Sequence, residues 1–126
     1  MQLHLSYRDA PVRTPVSPWV HRAPAGTYWG QARVFEPPFP GRVAGKGYPV
    51  WTLSHRGREL VFASPVEMAH VAGVLRQRVL PRPWQLGGAD YGQANQHWLS
   101  RLHKSWTPWA VRQEMVKALE GALAGL

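Results

Sequence analysis

The residues best suited to chemistry are cations with almost no acids among them. Between Glu67 and Glu114 the sequence carries Arg76, Arg78, Arg82, Arg101, Lys104 and Arg112, with His70, His97 and His103, and Asp90 is the sole acid. Such a span suits phosphate contact: a guanidinium holds a phosphate bidentately, whereas a surface built for solubility mixes both signs. The densest piece is NQHWLSRLHKSWTPW at 95–109, which holds Trp98, Trp106 and Trp109 among its cations. Read as a helix over 95–104, it puts Trp98, Leu99 and Leu102 on one side and His97, Arg101 and Lys104 on another. The first side reads as core. The second reads as a basic outer face, with His97 and Trp106 at its edge. A single basic helix face is commonly just solvated, and the acid-poor neighbourhood is what favours phosphate here. Arg112 is the odd member. On a helical wheel it falls beside Val116 and Leu119, so it either snorkels past Trp109 or points into a groove shared with the preceding helix.

Other patterns carry less. In TYWGQARVF (27–35), strand alternation would put Trp29, Gln31, Arg33 and Phe35 on one face, the ingredients of a stacking platform for unpaired bases. Ordinary core or arm-covered sheet is the competing account. GRVAGKG (41–47) is not a phosphate loop, because the spacing is one residue short and Gly47 stands where Ser or Thr belongs. The acids are scattered, and the histidines show no HExxH, HxxxH or HxH spacing, so neither a metal nor a cofactor is expected. Ser100 lies near His97 and His103 but lacks a nucleophile elbow. No catalytic residue is assigned. A metal-independent ribonuclease stays open as a third reading, since a histidine acting with Arg or Lys leaves little spacing signal. AGKGYPVWTL, FASPVEMAHV and NQHWLSRL resemble segments of small bacterial proteins, a resemblance that implies no activity.

The elements that must position these residues form one domain of three parts: a proline-rich extended arm (1–26), a β-rich half (27–63) and a helical half (64–126). The arm is too apolar for a linker and reads as lying across the body, with a short edge strand at 2–7. Strands are expected at 27–35, 48–55 and 58–63, the last two as a hairpin about Arg56-Gly57. Ser64-Pro65-Val66-Glu67 reads as a helix start with a capping-box acid. That helix is expected to run to about Leu80, burying Met68, Val71, Ala72, Leu75 and Val79. A loop at 81–93, the helix at 95–104 and a last helix over 107–123 follow. The last helix is expected to bury Val111, Met115, Ala118, Leu119, Ala122 and Leu126, and to wet Gln113, Lys117 and Glu120. The fold class is therefore α+β, with an antiparallel sheet of three to four strands against two to three C-terminal helices.

Composition bounds the function. The 126 residues carry fifteen Lys and Arg against seven Asp and Glu, for a net charge of +8, with no cysteine. Twelve of those cations are arginine, the better phosphate and carboxylate binder. Disulfide frameworks and thiolate metal sites are excluded. No apolar run reaches the ~18 residues of a membrane span, so a soluble cytoplasmic protein without a membrane partner is expected. The favoured expectation is a non-enzymatic nucleic-acid-binding module, with RNA or single strands ahead of duplex DNA. The alternative is a protein–protein adaptor or inhibitor, from a mobile element for example, that docks on an acidic or nucleic-acid-binding surface.

Overall fold

The computed structural model describes residues 1–82 and 97–126. Its three strands are β1 (Gln2–Arg8), β2 (Tyr48–His55) and β3 (Arg58–Phe62), antiparallel in the order β1-β2-β3. Four helices accompany them: α1 (Ser17–Val20), α2 (Pro65–Leu75), α3 (Trp98–Arg101) and α4 (Trp109–Ala124). The class is α+β, as the sequence implies. β2 is paired on both sides and buries Val50, Trp51, Thr52 and Leu53 in succession. Leu3 and Leu60 flank Leu53, and Phe62 faces Trp51. Directly paired residues project to the same side of a sheet, and this side meets Met68, Val71 and Leu75 of α2 and Met115 and Leu119 of α4 in one core. The hairpin turn is Arg56-Gly57, with φ of 51° and 77°. Positive φ at both positions is what a two-residue turn needs to match strand twist, and glycine supplies it without a steric penalty.

One strand expectation fails. Residues 27–35 hold no strand, only a single 3-10 turn at Trp29–Gln31, and an isolated bridge between Arg22 and Glu36 flanks them. The third strand is instead β1, from the arm. The aromatics of 27–35 are used on each other: Trp29 donates its indole N–H to the His21 carbonyl at 2.7 Å and packs on Phe35, while Tyr28 and Val34 stay exposed. Alternation was present, but it does not mark a buried face.

The helix boundaries also move. α2 stops at Leu75, and Val79, expected in the core, is 81% exposed. Arg112 supplies the reason. Its guanidinium donates to the carbonyls of Leu75, Gln77 and Arg78, bonds that N–H groups of a continuing helix would otherwise supply. The start of the expected helix at 95–104, most of the 81–93 loop and Asp90 lie outside the described residues. What is described is one turn, Trp98–Arg101, and a separate 3-10 turn, Lys104–Trp106. Each is capped by a histidine: Nδ1 of His97 accepts from Leu99 N–H, and Nδ1 of His103 from Ser105 N–H. In α4, Met115 and Leu119 are buried, and Gln113, Lys117 and Glu120 are exposed as expected, but Leu126 is exposed as well.

The arm is docked through a buried polar cluster. Ser64 caps α2 by accepting from Glu67 N–H. The Glu67 carboxylate, fully buried, accepts from Ala63 N–H and from the hydroxyls of Thr14 (2.5 Å) and Ser17 (2.9 Å). His21 lies between Ser64 Oγ at 2.7 Å and the Pro37 carbonyl at 2.6 Å, with Glu67 Oε2 at 3.2 Å and Phe39 stacked on its ring. A carbonyl only accepts, so Nδ1 of His21 carries a proton. A buried carboxylate is tolerated only when its oxygens are hydrogen-bonded. The arm hydroxyls meet that requirement, and in doing so they fix the arm.

Candidate nucleic-acid interface

The eight residues expected at the nucleic acid, six of them at phosphates with His97 and Trp106 at the edge, do not form one surface. Three are buried. Arg112 is 6% exposed, with Nε on the Thr107 carbonyl at 2.7 Å, Nη1 on Leu75 and Gln77, and Nη2 on Arg78. Burial holds its guanidinium below the ordinary arginine pKa, with Arg78 adding to the shift. Of the two readings of Arg112, the inward one is correct, but what it meets there is backbone. His97 is 0% exposed, and burial, with His70 beside it, pushes its pKa down to about 4. With Nδ1 accepting from Leu99, the ring proton sits on Nε2, and that atom is buried without a hydrogen-bond partner among the described residues, so no phosphate reaches it. Trp106 is 2% exposed, packed edge-on to His55 with its indole N–H buried and unpartnered among the described residues.

Arg76 and Arg78 are exposed near the end of α2, yet both are engaged. Arg76 pairs with Glu120 of α4, and Arg78 lies 4.9 Å from the Trp109 ring, which Arg112 also faces at 5.0 Å. Arg82 is exposed beyond them. The stacking platform does not form either. Phe35 is buried, and Arg13 covers Phe39 at 3.9 Å and Phe35 at 5.4 Å.

Arg101 and Lys104 remain on the outside, and the fold gives Arg101 company that the sequence did not suggest. A groove of about 390 Å³ runs between the β2–β3 hairpin and the α3 region. Arg58 and Leu60 of β3 form one side, with Gly57 and Glu59 beside them. Trp98, Arg101, Leu102, His103 and Trp106 form the other, and Pro15 of the arm also lines it. Its centre is apolar and its rim is cationic, with Glu59 as the single acid. Arg58 is the residue sequence reasoning missed. The sequence marks it only as a residue of the hairpin, and its approach to α3 is made by the fold.

Chemistry beyond binding has little to work with. Ser64 Oγ and Nε2 of His21 have nucleophile–base spacing, but at 1% and 0% exposure no substrate reaches them. The ribonuclease reading needs a histidine beside an Arg or Lys; His103 lines the groove with Arg101, while His97 is buried. Among the described residues no group of three or more His, Asp or Glu is placed to hold a metal, and no helix is long and apolar enough to cross a membrane.

In comparisons with family models, curated proteins and solved structures, nothing matches this chain. The likeness of three short stretches to bacterial proteins gains no support from them, and any functional reading rests on the groove.

Proposed function

We propose that the protein is a non-enzymatic nucleic-acid-binding module that holds a single strand, RNA or DNA, in the groove between the hairpin and α3. The observation that carries this reading is the placement of Arg58 and Arg101 at the rim of one apolar groove, with Lys104 exposed on the next turn. Two guanidiniums on facing elements can hold successive phosphates, and the apolar centre offers a place to a base but not to a solvated charge. The net charge of +8 adds a long-range attraction for any polyanion. A chain without cysteine fits a reducing compartment, and the cytoplasm is the proposed location.

The test is charge reversal. Arg101→Glu with Lys104→Glu is expected to weaken binding to single-stranded RNA by at least tenfold and to leave the melting temperature unchanged, because neither side chain is buried. Unchanged affinity would remove these residues from the interface.

The adaptor reading is favoured by one specific feature. The open edge of β3 beside Leu60, Trp98, Leu102 and Trp106 also suits an acidic protein segment. A pull-down from nuclease-treated extract separates the two: a stoichiometric protein that survives nuclease supports the adaptor, and loss of all bound material with the nucleic acid supports the module.

A further inference from the structure

The groove contains a pair of main-chain groups without a partner among the described residues. Among those residues β3 is an edge strand, paired with β2. The two-residue turn at Arg56-Gly57 makes His55 and Arg58 the closing hydrogen-bonded pair. Antiparallel pairs alternate, so the next pair, Ser54 and Glu59, is not hydrogen-bonded, and the N–H and C=O of Glu59 point away from β2. No hydrogen bond among the described residues reaches either group. They open beside the groove that Glu59 lines, with Leu60 and Trp98 for apolar contact and Arg58 and Arg101 at the rim.

A donor and an acceptor side by side on one strand edge match the edge of a nucleobase. The Watson–Crick edge of adenine, cytosine or uracil offers the complementary acceptor and donor next to each other. In a duplex that edge is already paired. Only an unpaired base can turn it to Glu59 while its backbone phosphates stay outside at the arginines. We infer that the groove is a base-reading site, in which the main chain of Glu59 hydrogen-bonds the Watson–Crick edge of one unpaired base. The inference rests on the proposed nucleic-acid function and adds a ligand class to it: single strands with accessible bases, not duplex.

A peptide could also pair with an open edge, but strand addition uses a ladder along the whole strand. Here only Gly57, Arg58, Glu59 and Leu60 of the hairpin line the groove. One or two base contacts fit this short opening better than a ladder does, and the two rim arginines match a phosphate on either side of the base.

The experiment compares three probes on the full chain, freed of nucleic acid, at low salt: a single-stranded oligonucleotide, the same sugar-phosphate chain without bases, and a polyglutamate peptide of equal charge. The base-bearing strand is expected to bind on the order of tenfold or more tighter than either of the others. Glu59→Pro removes the outward N–H at an edge position where proline is tolerated, and it should bring the base-bearing strand down to the level of the abasic one. Glu59→Gln, which keeps the main chain, should leave the preference intact. Circular dichroism of both variants checks the fold, and the abasic comparison needs no variant at all. Equal binding of base-bearing and abasic strands would overturn the inference and leave the phosphate reading standing. Tighter binding of polyglutamate would overturn it in favour of a peptide. No binding of any nucleic-acid probe would overturn both.

Discussion

Arg112 and Arg101 belong to the same acid-poor span, and the fold gives them opposite work. Arg112 is buried between α2 and α4 with four carbonyl oxygens around it. Arg101 ends the single turn of α3 and stands exposed at the rim of the groove. One guanidinium is held by backbone, and it ends a helix where the hydrophobic stripe would have continued. The other has no side-chain hydrogen bond or ion pair among the described residues. Positive charge in a sequence is therefore not one quantity: a cation beside a helix C-terminus is drawn to carbonyls, whereas one on a short exposed turn has no such partner.

The variants that break or sharpen this contrast differ in size. The buried acid Glu67 follows the same rule as Arg112, and Glu67→Ala should have the largest effect. It strands the Ala63 N–H and the hydroxyls of Thr14 and Ser17, a loss of about 4 kcal/mol in urea unfolding, with the arm becoming open to protease. Arg112→Met keeps volume but leaves the α2 carbonyls unmet, and about 3 kcal/mol is expected to go. An intact melting curve for that variant would show that Arg112 does not hold the α2–α4 junction.

A pH titration comes next. His97 has its pKa lowered to about 4 in the fold, from the ordinary 6.5. Below pH 6.5 the unfolded chain takes up a proton that the folded ring refuses. The contribution of the neutral ring is thus complete above pH 6.5 and is lost as pH falls toward 4, by up to ~3 kcal/mol. His97→Asn retains a capping acceptor and should flatten that part of the stability profile; an unchanged profile would mean the ring titrates normally. Arg101→Glu should have the smallest effect on stability, within ~0.5 kcal/mol. A larger loss would mean that Arg101 is structural, like Arg112.

How much of this was legible depends on whether a residue's role is local. The Ser64 cap, the Arg56-Gly57 turn, the hairpin and the apolar stripe of α2 as far as Leu75 are set by neighbours in sequence, and they appear where pattern puts them. The strand at 27–35 was overruled by a contact from just before it in the chain, and the extension of α2 to Val79 by a partner far along the chain. Trp29 is bound at His21 and α2 is ended by Arg112, and nothing near those segments announces either contact. The single helix read over 95–104 failed for a different reason, because histidine side chains can cap from within a periodic pattern. At the interface, Arg101 and Lys104 were legible as exposed cations. Arg58 was not, because its approach to α3 is a tertiary fact. His97 looked like surface only while the helix around it was taken as continuous, whereas Arg112 sits in a continuous helix and is buried by its carbonyl partners beyond α2.

The measurement that tests the central claim most directly is the salt dependence of binding to a single-stranded oligonucleotide, for the native chain and for Arg58→Glu/Arg101→Glu/Lys104→Glu together. With phosphates at these three residues, affinity should fall steeply as salt rises, and the variant's logarithmic slope should be shallower by about 2, at ~0.7 per phosphate for single strands. The same slope in both proteins would place the polyanion elsewhere and contradict the groove as the nucleic-acid site.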